Sequence, residues 1–165
     1  MKHFFYIGII AFCGCSESGE ANKKLETRID SLEQKLANTY KPGFGEFMSN
    51  IQMHHARLWF AGENKNWNLA EFEAHEITEA LDAIRQFQTE REESKKVEIM
   101  KPALDSMTLA VQQQNVVAFK NSFVLLTATC NNCHRATDFG FNVVRIPLTH
   151  PFSNQSFEIM DSLKK

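Results

Sequence analysis

A chain of 165 residues carries 18 Lys and Arg against 20 Asp and Glu, a net charge of −2 with 23% charged residues. It is near the modal size of one domain, long enough to bury a single core once a leader and a linker are set aside. That balance excludes the broad basic surface that nucleic-acid binding requires, so nucleic acid is not among the expected partners. The 14 phenylalanines, against 2 Trp and 2 Tyr, fit a large apolar core or a pocket for a flat apolar cofactor, and core packing is the plainer explanation.

Residues 1–15 open with Lys2 and His3, continue through an apolar run from Phe4 to Phe12, and close on Cys13-Gly14-Cys15. This pattern predicts a secretion signal, since the run is far shorter than the roughly 20 residues a spanning helix needs. Small Gly14 before Cys15 resembles a bacterial lipobox, to which Phe12 is an imperfect match. The resemblance implies lipidation of Cys15 and a membrane anchor, with cleavage alone as the alternative. The stretch Cys15-Ser16-Glu17-Ser18-Gly19-Glu20 also resembles the acidic tag of surface lipoproteins in the Bacteroidetes. The expected location is therefore outside the cytoplasm, in the periplasm or on the cell surface. If Cys13 leaves with the leader and Cys15 takes a lipid, the mature chain keeps only Cys130 and Cys133 as thiols in an oxidising compartment.

Residues 16–43 are polar, but Leu25, Ile29, Leu32 and Leu36 alternate at spacings of four and three among charged residues. Two heptads of this kind are marginal alone. They predict a helical stalk or a small self-association segment, the stalk being the plainer expectation. Tyr40-Lys41-Pro42-Gly43 breaks the pattern and sets the expected domain boundary.

Four helical patterns follow. The first runs from about Phe44 to Ala61, with Met48, Ile51, His55 and Leu58 on one stripe and Gly62 as its expected end. The second starts near Asn66, a predicted N-cap, and carries Trp67, Ala70, Ala74, Ile77, Leu81 and Ile84. The third aligns Val97, Met100, Leu104, Met107 and Val111, with Pro102 marking where a regular helix can begin. The fourth opens after Asn115 and places Val116, Phe119, Phe123, Leu126, Cys130 and Cys133 in one repeat. The predicted fold is all-α: an antiparallel four-helix bundle over 44–137, preceded by the stalk, with 138–165 an irregular tail that wraps it. Trp59 and Trp67 are expected at the junction of the first two helices. Glu71, Glu73, Glu76 and Glu79 read as a solvated face, and His54 as half exposed. His75 and His150 carry no assignment.

Cys130-Asn131-Asn132-Cys133-His134 matches the C-x-x-C-H signature of covalent c-type haem attachment. Residues three and four apart on a helix are neighbours, so two thiols and the next imidazole can address one flat cofactor from a single turn. Neutral imidazole is a good proximal iron ligand. A structural zinc site would want a fourth protein ligand from a second cysteine or histidine pair, which is absent. A thioredoxin-like dithiol would follow a strand and open a helix, whereas this pair ends a helical pattern. A disulfide within adjacent turns has poor geometry. One haem c per chain is the expectation.

Four helices with C-x-x-C-H in the last resemble the cytochrome c prime superfamily, over roughly residues 44–135. The resemblance implies haem thioethers at Cys130 and Cys133, His134 as the proximal ligand, and homodimers as an expectation. Cytochromes c prime stop soon after the motif, so the thirty or so residues that follow are a departure. Residues 134–157 also resemble the C-terminal part of other bacterial cytochromes. Met48, early on the first helix, resembles the distal residue of cytochromes c prime. Its alternatives are ordinary core packing for Met48 and ligation by His55, which lies seven residues on, about 10 Å along a helix, so only one of the two can meet the iron. Met100 and Met107 are expected in the core, and Arg135 either near a propionate or at the surface. The leading functional expectation is a one-electron carrier between redox protein partners. The others are a cytochrome c prime-like binder of nitric oxide or carbon monoxide, and a reductase of peroxide or nitrogen oxides, for which no distal acid/base pair is evident.

Overall fold

The computed structural model describes residues 17–37, 39 and 42–159. The leader, Cys15 and the chain end from 160 lie outside them. The chain divides into two compact units, Met1–Lys41 and Pro42–Lys165. Among the described residues the first unit is one α-helix, α1 (Glu17–Ala37), whose Leu25, Ile29, Leu32 and Leu36 are all exposed.

The second unit holds α2 (Phe44–Glu63), α3 (Trp67–Phe87), a 3-10 segment (Glu93–Met100), α4 (Lys101–Gln112) and α5 (Val116–Ala136). All regular structure among the described residues is helical. None of these helices is long and apolar enough to cross a membrane. Asn66 starts α3 by accepting from the Leu69 N–H at 3.3 Å, and Asn115 starts α5 by accepting from Val117 and Ala118 at 3.1 and 3.0 Å. Each cap satisfies donors that have no partner inside the helix. Pro102 sits in the first turn of α4, where its missing N–H costs nothing, and Val97 and Met100 therefore reach the core from the 3-10 segment.

Gly62 does not end α2. It lies inside the helix and buried, and a Cβ added there would overlap the ring of Phe119. The helix ends instead at Lys65 (φ 56°), with the Asn66 N–H bonded to Ala61 O at 2.9 Å. Gln114 (φ 51°) ends α4 in the same way, with Asn115 N–H on Ala110 O at 3.1 Å. Asp138 (φ 63°) ends α5, with Phe139 N–H on His134 O at 2.8 Å. The first two are Schellman ends, and in all three a residue other than glycine takes the left-handed position.

Helix α2 packs on α3, α3 on α4, α4 on α5, and α5 back on α2. Their apolar stripes meet in one core around Leu58, Ile77, Ile84, Met107, Phe119 and Phe123, each essentially inaccessible. Each such side chain contributes about 1.5–3 kcal/mol by leaving water. Trp59 and Trp67 meet over Phe119, with ring centroids 6.3 and 6.0 Å from it. The chain after α5 is irregular but attached: Phe157 is buried 5.6 Å from the Phe60 ring, and its carbonyl accepts from the Asn66 amide at 3.3 Å.

Two expectations about α2 and α3 are overturned. His54 is buried, and Glu73 is fully buried rather than part of a solvated face. His54 Nδ1–H donates to Glu73 Oε2 at 2.6 Å, and Arg57 pairs with Oε1 at 2.8 Å. Burial pushes the Glu73 carboxyl above its ordinary range, while His54 and then Arg57 pull against that shift. Glu73 lies three residues after Ala70 and four before Ile77, inside the apolar stripe; a carboxylate there signals a buried, partnered position.

Candidate functional site

The last two turns of α5 carry Cys130, Cys133 and His134. Phe119, Phe123 and Leu126 pin the helix in the core, which brings partly buried Cys130 against the core edge and leaves Cys133 more open. Beyond the helix end at Asp138 the chain folds back along the motif. The His134 Nδ1–H donates to the carbonyl of Asn142 at 2.6 Å. A carbonyl can only accept, so the neutral ring has its proton on Nδ1 and its lone pair on Nε2. Two residues further, the Asn131 amide clasps the backbone of Val144, donating to its carbonyl at 2.9 Å and accepting from its N–H at 2.8 Å.

Cys130, Cys133 and His134 border one cavity of about 290 Å³, whose opposite wall is α2 with Phe44, Met48, Ile51 and His55. Val97 and Met100 add apolar surface, and Arg91 stands at the side with its guanidinium 5.0 Å from the Phe44 ring centroid and paired with Glu93 at 2.8 Å. The five bundle residues predicted from the sequence as thioether, proximal or distal positions therefore share one concavity. A larger concavity of about 780 Å³ between α3 and α4 contains none of them.

The thiols are free. Burial, reinforced by the neighbouring Cys133, pushes the Cys130 thiol up to about 12, and burial raises Cys133 too. A reactive dithiol needs a lowered pKa, so this pair lacks the electrostatics of a thioredoxin-like site. Among the described residues no three His, Cys, Asp or Glu side chains converge to hold a metal ion, so a protein-only zinc cage is not built here.

His55 is already engaged. The Thr127 hydroxyl gives its one proton to Phe123 O at 2.8 Å, so it accepts from His55 Nε2–H at 2.9 Å. The ring packs 4.4 Å from Phe123, and burial lowers its pKa to about 4. Met48 is partly buried on the same wall. Arg135 is exposed and bonded to Asn132. The His54–Glu73–Arg57 cluster, missed by stripe counting, does not line the cavity. No family model matches the chain, and no curated protein or solved structure matches it.

Proposed function

We propose that the second unit is a monohaem c-type cytochrome acting as a one-electron carrier, exported and held to a membrane by a lipid on Cys15. The observation that carries this reading is the C-x-x-C-H turn on a largely apolar cavity, with His134 Nδ1 tied to Asn142 O so that Nε2 is left for a metal. The donor set fits the group: a haem brings its own equatorial nitrogens, so the chain needs only axial donors and sulfur attachments, not a three-residue cluster.

Cys130 and Cys133 would hold the macrocycle as thioethers, and His134 would be the proximal ligand. When bound, haem supplies an Fe(III)/Fe(II) couple. Met48 is the better distal candidate, because the Nε2–H of His55 is committed to the Thr127 hydroxyl. Apolar walls from Phe44, Ile51 and Val97 would lower the polarity around a bound haem and favour its less charged state. The helix packing and short connections support an antiparallel four-helix bundle. On this reading α1 spaces the unit from its anchor, and the partners are redox proteins. A cytochrome c prime-like binder of nitric oxide or carbon monoxide is the second reading, favoured by the cavity that lies in front of Met48.

The test is mass and alkaline pyridine spectroscopy of the protein made in a host that attaches haem c. The expected result is one haem per chain, lost in the Cys130→Ala, Cys133→Ala double variant. A native mass without porphyrin overturns the proposal. Reduced spectra unmoved by carbon monoxide in the parent, and moved in Met48→Ala but not His55→Ala, are the expected signature of a carrier. A parent that binds the gas selects the second reading.

A further inference from the structure

We propose that α1 is a parallel, in-register homodimerisation helix, with two copies of Glu17–Ala37 pairing as a short two-stranded coiled coil. This stands independently of the haem reading. Leu25, Ile29, Leu32 and Leu36 are between 47% and 64% exposed, and their alternating spacing sets them along one seam of the helix. The occupant of that seam is identified by what surrounds it.

In heptad terms Asn22, Ile29 and Leu36 take position a, and Leu25 and Leu32 position d. A β-branched residue at a with leucine at d favours two parallel strands, and a single Asn at a fixes register and strand number at some cost in stability. The flanking positions are sorted by sign: Glu26 and Glu33 fall at e, Arg28 and Lys35 at g. In a parallel pair the g residue of one heptad faces the e residue of the next, which sets Arg28 against Glu33 of the second copy, twice by symmetry. An antiparallel pair would set g against g and e against e, basic on basic and acidic on acidic.

Arg28 and Glu33 are also spare within their own helix. The residues three and four away from Arg28 are Lys24, Leu25, Ser31 and Leu32, and those around Glu33 are Ile29, Asp30, Leu36 and Ala37, none of opposite charge. Among the described residues neither has an ion-pair partner. Little more than two heptads is marginal alone, so the association is weak and concentration-dependent.

Sedimentation equilibrium of the full chain tests this. The parent is expected to dimerise with rising concentration. Arg28→Glu or Glu33→Arg alone turns two attractive pairs repulsive and weakens the dimer about tenfold; the two together restore it. Leu32→Ser weakens it about a hundredfold. Asn22→Cys cross-links to itself on oxidation, beyond any cross-link of the parent, because only a parallel register brings that position to its own copy. A monomer at every concentration overturns the proposal. So does a dimer indifferent to the single charge changes, a double variant that fails to recover, or an Asn22→Cys chain that does not cross-link. All the altered positions are exposed on α1, so the core of the second unit stays intact.

Discussion

His134 and Asn142 are joined ring to backbone, Nδ1–H to carbonyl at 2.6 Å, by a segment that folds back along the end of α5. The contact orients the imidazole through the main chain, so its integrity depends on what fixes the segment rather than on the Asn142 side chain. That fastening is the Asn131 clasp on Val144.

Asn131→Ala removes both bonds of the clasp. A loss of about 1–2 kcal/mol is expected, together with faster amide exchange at Val144. Unchanged exchange in the variant would show that the segment is held by other contacts.

His55 gives the second unit an acid sensitivity. Its folded pKa is lowered to about 4 from 6.5, so between these values the unfolded chain binds a proton that the folded chain refuses. Stability is complete above about pH 6.5 and falls as pH drops to about 4, by roughly 3 kcal/mol at most. Glu73, with its raised folded pKa, acts in the opposite direction over part of the range. The measurement is therefore the difference in denaturant midpoint between parent and His55→Phe at pH 7 and pH 5. A difference that does not change with pH would remove His55 as the cause.

Glu73 has two cationic or donating neighbours and no access to water. Glu73→Ala strands Arg57 and His54 in that site and is expected to cost about 3–5 kcal/mol. Glu73→Gln keeps the shape and one acceptor for His54, so it should cost less. Chemical denaturation distinguishes them; equal losses would assign the effect to packing alone.

Glycine is expected to act with opposite signs at neighbouring positions. Lys65→Gly and Gln114→Gly relieve left-handed backbone at a helix end and should stabilise by about 0.5–1 kcal/mol each. Gly62→Ala would gain about 1 kcal/mol of helix propensity, but its Cβ overlaps the Phe119 ring. Overpacking of this kind costs about 1–3 kcal/mol or more, so the net change in melting temperature is expected to be downward. A rise would mean that Phe119 repacks freely.

The C-x-x-C-H motif, the helical periodicity, the caps at Asn66 and Asn115 and the apolar spacing along α1 are legible in the sequence, because each depends on residues within a few positions of one another. The identity of the α2 terminator is not. Gly62 has the residue type of a helix end, yet it is used for close approach by a ring 57 positions away, a need no local pattern contains. Likewise the periodic reading of α3 counted apolar residues and assigned Glu73 to water, although its place in the stripe marked it as buried. Which neighbours neutralise it is a matter of how α2 lies on α3.

What the sequence determined by itself was the set of chemistries available: two thiols and an imidazole in one turn, with Met48 and His55 on a single stripe of another helix. Only the tertiary structure decided their states. It set Thr127 against His55 Nε2, brought Asn142 O to His134 Nδ1, and enclosed the thiols so that burial raises the pKa of both. Hydrogen-bond partnership and solvent exclusion are properties of groups distant in the chain and close in space, and those are what fix a tautomer or a pKa.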